Sequence, residues 1–298
     1  IWEVTEGAMT TPRAMWVVFG NPTRNTGRFR DCFQADESRW TTRQIDSRTC
    51  KMTNKTEIAE WVDTYGEDSD FVRVRVKGQF PRTGTMQFIS SELVDMAAAA
   101  DVPYESYFLL PVILSCDVAR YGDDKSIVAL RQGRKILHMW KYRELNLMEL
   151  ASEVSSIAQE FEPDGLFVDG VAIGAGVVDR LEQLGHSVIS VIGGKEAFDD
   201  ELYFNKRAEM WGRMRGWLLD GADIPVDPDL RASMIGVEYG FDRRDRIQLE
   251  RKKDMKDREG FSPDEADCIA LGFAEIVVAR RDRSYEPGDF MEPEDMYT

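Results

Sequence analysis

Histidine and cysteine are scarce in this sequence: 298 residues hold two His and four Cys, and Cys32, Cys50, Cys116 and Cys268 form no C-x-x-C pair. Those counts argue against a zinc site or a disulfide framework and fit a reducing, intracellular setting. No apolar run approaches the roughly 20 residues that a bilayer span needs, and no secretory leader is recognisable at the start. No G-x-x-x-x-G-K-[ST] loop occurs anywhere, so the phosphate cradle of an NTPase is not written in these residues, and the chain alone is expected to hydrolyse no ATP. Positive charge is also short, with 38 Lys and Arg against 54 Asp and Glu for a formal net charge of -16. That sum opposes a nucleic-acid partner, because phosphate binding draws on Lys and Arg, but the distribution of charge outweighs its sum.

What remains is the composition of a globular protein, 43% hydrophobic and 31% charged, long enough for one large domain or two ordinary ones. The stretch from Val112 to Ile136 organises it. An apolar run stops on Asp117, turn chemistry follows at Gly122, Asp123 and Asp124, and Ser126 begins a return strand, the pattern of a hairpin. A carboxylate at the end of a core strand is costly unless paired, and a divalent cation is one such partner. An Asp that merely caps a turn is the alternative.

Upstream, Ala14 to Phe19 reads as a short strand running into the turn Gly20-Asn21-Pro22-Thr23, and Thr56 to Tyr65 as a helix. Phe71 to Phe80 alternates like an edge strand, although ten residues admit a helix as well. Ser90 to Ala100 is a capped helix, and residues 101–111 connect onward. Downstream, Lys135 to Tyr142 is a third strand and Leu147 to Phe161 a helix by its apolar spacing. Leu166 to Val168 is a fourth strand, ending on Asp169; Val177 to Leu184 is helical and Ser187 to Ile192 a fifth strand. Lys206 to Leu219 is an amphipathic helix whose Trp211, Met214, Trp217 and Leu218 form a core stripe, Ile247 to Leu249 a brief strand, and Asp264 to Ala279 the closing helix. The tail over 282–298 carries six acids, one Arg and three Pro or Gly, a composition expected to be disordered.

Asp117 and Asp169 thus stand at strand ends, and Asp264, Glu265 and Asp267 open the last helix. Acids in a first turn are ordinary, since the macrodipole favours them. Asp267 differs, because CIALGFA follows it and places it at the margin of an apolar face. Carboxylates from two strand ends and one helix, with no Cys or His, make a hard oxygen donor set suited to two Mg²⁺ or Mn²⁺ ions. Such a pair clamps the attacking and leaving oxygens in phosphodiester cleavage.

Three separated motifs, SCDVARYGDDKS, FVDGVAIGAGVVDRL and ERKKDMKDREGFSPDEADCIALGFA, together resemble the nuclease domain of the tailed-phage terminase large subunit, the DNA-packaging motor. The resemblance implies an α/β fold: a ribonuclease H-like nuclease domain with a mixed central sheet flanked by helices, preceded by a partial P-loop-type ATPase α/β segment. It sets residues 1–92 as the rear of the ATPase domain with its linker subdomain, 93–111 as linker, 112–281 as the nuclease and 282–298 as the tail. Asp117, Asp169 and Asp267 match the family's metal-binding acids, and Asp264 an additional acidic or His position. WVVFGNPTRNTGRF is similar to the segment that couples ATP hydrolysis to movement, which singles out Asn21 and Thr23, while the ATPase is incomplete in this chain. Further implications are double-stranded DNA as substrate, a terminase small subunit and the capsid portal as partners, and a homo-oligomer on that portal. The implied location is the host cytoplasm, transiently at the procapsid, and neither a membrane nor the mature virion.

Arg243 to Arg258 holds eight Lys or Arg against four acids, the local excess that a DNA track needs, with Arg251, Lys252, Lys253, Lys256 and Arg258 as its candidates. A solvated hairpin is the bland alternative. The letters DEAD at Asp264 to Asp267 follow Ser-Pro instead of a hydrophobic strand, against a helicase reading. Gly170, Gly174 and Gly176 fail G-x-G-x-x-G, whose third glycine would fall on Asp179, and tight strand-to-helix turning explains them. Other ribonuclease H-like nucleases, such as resolvase or integrase relatives, and a non-catalytic portal-docking module are the competing readings.

Overall fold

The computed structural model describes residues 2–10, 13–23, 27–81, 86–119 and 125–280, in two compact units. One unit gathers Met96–Ile192, Asp220–Asp227 and the chain from Asp264 onward; the other gathers Ile1–Asp95, Gly193–Leu219 and Pro228–Pro263. Among the described residues no helix is long and apolar enough to cross a membrane. The turn residues Gly122, Asp123 and Asp124 and the acidic tail lie outside the described residues.

The first unit is built on a five-stranded mixed sheet. Strands β1 (Val112–Asp117), β2 (Ser126–Gln132) and β3 (Lys135–Tyr142) form an antiparallel meander, and β4 (Gly165–Asp169) and β5 (Val188–Val191) extend it in parallel from the other edge of β1, in the order β3-β2-β1-β4-β5. Helices α1 (Leu147–Phe161), α2 (Gly174–Gln183) and α3 (Asp264–Leu271) complete the unit. β1 is buried along its whole length, which is why it reads as one apolar run instead of alternating. Its even residues Val112, Leu114 and Cys116 join Leu150, Val154, Leu166 and Leu181 in a core with α1 and α2. Asn146 and Glu149 close a full capping box at the start of α1, and Glu162 ends that helix in the left-handed region. Leu150 is 1% exposed at the centre of this core. Leu150→Ala is expected to cost about 2–5 kcal/mol, read as a lower urea midpoint at unchanged slope.

The closing helix is shorter than the expected Asp264 to Ala279. After Leu271 the chain tightens into turns, with Gly272, Phe273 and Ala274 donating to Ile269, Ala270 and Leu271. The guanidinium of half-buried Arg131 donates to the Gly272 carbonyl at 3.1 Å, withdrawing it from any continuing helical ladder.

The second unit carries a small antiparallel sheet of Met86–Gln87, Glu238–Phe241 and Ile247–Leu249. Trp211, Met214, Trp217 and Leu218 of the helix Lys206–Leu219 are buried as the apolar stripe predicts. Two expected strands are absent from it. The segment Phe71 to Phe80 opens as a helix, Asp70–Arg75, because Ser69 caps the amide of Val72 and the apparent alternation places Phe71, Val72 and Val74 on a buried face. Ala14 to Phe19 forms neither helix nor strand; Trp16 packs against Trp2 and Trp40, while Met15, Val17 and Phe19 are exposed. Described residues through position 81 contribute helices and single turns and no strand, so the α/β sheet expected of an ATPase segment is not seen there.

Candidate active site

The first unit brings the sequence-predicted acids to one end of its sheet. β1 and β4 are parallel and Cys116 is in register with Val168, so Asp117 and Asp169 follow as neighbours, one strand spacing of about 4.8 Å apart. Both share a face with Ser115 and Phe167, because side chains alternate along a strand.

That face is covered by α3, which lies over β1 with β2 and β4 to either side. The Cys268 thiol is 3.3 Å from the Ser115 carbonyl and 3.2 Å from that of Ile127, while Gly272 approaches Ile113, so α3 runs antiparallel to β1 and its first turn lies at the Asp117 end. Burial, reinforced by the Asp117 carboxylate, pushes the Cys268 thiol up. At 100° per residue, Glu265 turns toward the β2 side of Cys268, and Asp264 and Asp267 turn toward β4, where Asp169 ends its strand. Asp117 and Asp267 are each 6% exposed, and Asp264 is half-buried.

The loop after β4 is shaped around Asp169. Its carboxylate accepts the Val171 amide at 3.0 Å, an Asx turn, and Ala172 sits at a positive φ of 52°. A Cβ on Gly174 would overlap the Asp169 carbonyl oxygen, and one on Gly170 would overlap the Ser190 hydroxyl. Glycine is required at 174, where the overlap is with backbone, for the chain to fold back on the strand end, whereas at 170 the Ser190 hydroxyl can turn aside.

Glu265, grouped by sequence with the other acids, is 5% exposed and faces Lys125 and Lys141, each at 3.6 Å. Lys141 also pairs with Asp227 at 2.6 Å. Lys141 is in register with Ile127, and Ile127 with Asp117, so this lysine shares the row and face of the acids. Sequence reasoning missed it, because one Lys in an alternating strand carries no signal of what lies two strands away. Among the described residues no three His, Cys, Asp or Glu side chains form a preformed metal-holding group.

The basic candidates lie in the other unit, at and within a helix, Lys252–Glu259, held by buried Met255, which follows the antiparallel pair Glu238–Phe241 and Ile247–Leu249. Lys252, Lys253 and Lys256 fall within about 100° of its circumference. Arg258 turns inward to Glu250 at 2.6 Å, Glu238 at 3.5 Å, Glu259 and the Gly236 carbonyl, which removes it from an outward-facing track, and Arg251 precedes the helix as its exposed N-cap. Asn21 donates to Asp245 at 3.0 Å, and its carbonyl accepts the Thr23 amide at 2.9 Å.

No protein-family model and no curated protein matches the sequence. Solved structures do match. The nuclease domain of the large terminase subunit gp2 of bacterial virus Sf6 superposes with a TM-score of 0.54 at 18% identity, covering 63% of this chain and 98% of that one. The fold is that of a phage large-terminase nuclease domain. A mutant of the Sf6 domain determined with manganese and beta-thujaplicinol matches at a TM-score of 0.55 and 19% identity, over 63% of this chain and 98% of that one. Large terminase from the thermophilic bacteriophage D6E matches at a TM-score of 0.48 and 14% identity, over 74% and 51% of the two chains. The sheet order β3-β2-β1-β4-β5 is what places two strand-end acids side by side.

Proposed function

We propose that residues 112–281 form a divalent-metal-dependent endonuclease module that cuts double-stranded DNA in a viral packaging motor. The observation that carries this reading is the adjacency of Asp117 and Asp169 on one face of the sheet, with the acids of α3 over the same end. Two carboxylates one strand apart repel each other unless a cation stands with them. Their oxygens, with those of Asp267 and Asp264, suit a hard cation such as Mg²⁺ or Mn²⁺. The fit rests on donor chemistry and adjacency, not on a preformed cage. The Sf6 domain determined with manganese supports the same choice of metal.

When bound, two such ions would activate a water and stabilise the leaving oxygen of a phosphodiester. The chain's own part is positional. β1 and β4 hold Asp117 and Asp169 at fixed spacing, the glycine-shaped loop keeps Asp169 turned back onto the strand end, and Cys268 against β1 sets the height of Asp267. The Glu265–lysine contacts anchor the first turn of α3 on the β2 side. The terminase small subunit, the capsid portal and an oligomer assembled there are the partners that this reading entails, in the host cytoplasm.

The purified chain is expected to nick and linearise supercoiled plasmid in Mg²⁺ or Mn²⁺, to stop in EDTA, and to resume when the metal is restored. Cleavage that persists in EDTA, or none with either metal, would refute the proposal.

A further inference from the structure

Among the described residues no three carboxylates stand as a preformed metal cage. Whether Asp264 and Asp267 can join Asp117 and Asp169 therefore depends on where the first turn of α3 is held. Three contacts fasten this helix along its length. Beyond its last turn Arg131 donates to the Gly272 carbonyl at 3.1 Å. At its middle Cys268 lies 3.3 Å from the Ser115 carbonyl and 3.2 Å from that of Ile127. At its start Glu265 meets Lys125 and Lys141, each at 3.6 Å. Of these, the third lies in the turn that carries Asp264 and Asp267. Glu265 is buried, and a buried carboxylate that loses a cationic partner is costly to keep in place.

Lys141 is the better placed of the two lysines to set that turn. It projects from within β3, in the row of Asp117 and on the same face, two strand spacings or about 9.6 Å away. A lysine stem is flexible, but here the ammonium is also bound by Asp227 at 2.6 Å. Asp227 is fixed in its turn, because the returning segment Asp220–Asp227 is fastened to the outer edge of β3. The Asp223 amide donates to the Arg134 carbonyl at 2.8 Å, its carbonyl accepts the Ile136 amide at 2.9 Å, and its carboxylate pairs with Lys135 at 2.8 Å. Asp227 thus aims the ammonium, and the ammonium holds Glu265. A lysine that merely offset the charge of the acids would have the opposite signature, since its removal would favour a bound cation.

We infer that Lys141 is a positioning residue for the metal-dependent nuclease proposed for this unit, a role that rests on that function. Aimed by Asp227, it holds Glu265 and so sets where Asp264 and Asp267 meet the strand-end pair. Calorimetric titration of the metal-free full chain with Mn²⁺, and plasmid cleavage across a series of Mn²⁺ concentrations, test it. Lys141→Met is expected to weaken Mn²⁺ binding about tenfold or more and to raise the half-activating Mn²⁺ concentration in step, with cleavage at saturating Mn²⁺ within about threefold of the parent. Lys141→Arg keeps a cation for both carboxylates and should bind Mn²⁺ within about twofold of the parent. Asp227→Asn should act in the same direction as Lys141→Met. In a Glu265→Gln background, Lys141→Met should weaken Mn²⁺ by less than about twofold more, because the two residues act as one unit. Before any metal is added, amide exchange over residues 264–268 should quicken in Lys141→Met and stay unchanged over 112–117. Parent-like or tighter Mn²⁺ binding by Lys141→Met, no rescue by Lys141→Arg, or unaltered exchange over 264–268 would overturn the role. If the parent cuts with Mn²⁺ and Lys141→Met matches it at every concentration, this role alone falls; a parent that neither binds Mn²⁺ nor cuts removes the nuclease and this role together.

Discussion

Asp117→Asn is expected to reduce metal-dependent plasmid cleavage by on the order of a thousandfold, about 4 kcal/mol of transition-state stabilisation, while leaving the fold intact. The carboxylate ends β1 at 6% exposure, next to Asp169 in register and beneath the first turn of α3. The amide is nearly isosteric, so packing around it is kept, but one charged donor is lost where a hard cation would need it most. The same exchange relieves repulsion between neighbouring carboxylates. Without metal, the melting temperature of the variant should therefore equal or exceed that of the parent, and added Mn²⁺ should raise it less. Loss of cutting together with a lowered melting temperature would mean that Asp117 is structural, and undiminished cutting would remove it from the site altogether.

Exchanging Lys252, Lys253 and Lys256 together for Ala should act on DNA affinity instead. The three lysines occupy one side of the helix Lys252–Glu259, in a chain whose net charge is -16, so little else in the sequence favours a polyanion. If each neutralises one phosphate, the slope of log affinity against log salt should fall by about 0.9 per lysine, close to 2.7 in all, and affinity at 50 mM salt by on the order of a thousandfold. Sequence preference should not move, because phosphate contacts position a duplex without reading it. Parallel salt titrations of parent and variant on one duplex decide the matter, and superimposable slopes would place the DNA track elsewhere. Arg258→Ala, by contrast, should lower stability with little change in that slope, since its guanidinium is engaged by Glu250 and Glu238.

Much of the fold was legible because its elements announce themselves locally. β3, α1 and the helix Lys206–Leu219 begin and end where their spacing predicts, and β1, buried along its length, opens on the apolar run Val112–Leu114. The acids were legible for a related reason: a carboxylate that terminates an apolar strand stands out against it. Legibility failed where tertiary contacts decide. Phe71 to Phe80 alternates well enough for a strand, yet Ser69 starts a helix there and burial completes it. Glu265 looked no different from Asp264 or Asp267 until the sheet brought Lys125 and Lys141 beside it. Arg258 counted toward a basic track until its acidic neighbours from Glu238 and Glu250 were in place. None of these distinctions is local, so no window of residues contains it.

The chain leaves the unit of the five-stranded sheet after β5, returns briefly at Asp220–Asp227, and comes back for good only with α3. Asp117 and Asp267 are consequently 150 positions apart along the polypeptide. Contacts of such separation close slowly, because loop entropy must be overcome before they repay it. During synthesis, the strand-end pair is complete long before the helix acids have left the ribosome. A nascent or C-terminally truncated chain therefore holds only the strand-end pair of the proposed site, and on that proposal competence to cut would be acquired last, when α3 docks on a sheet already formed.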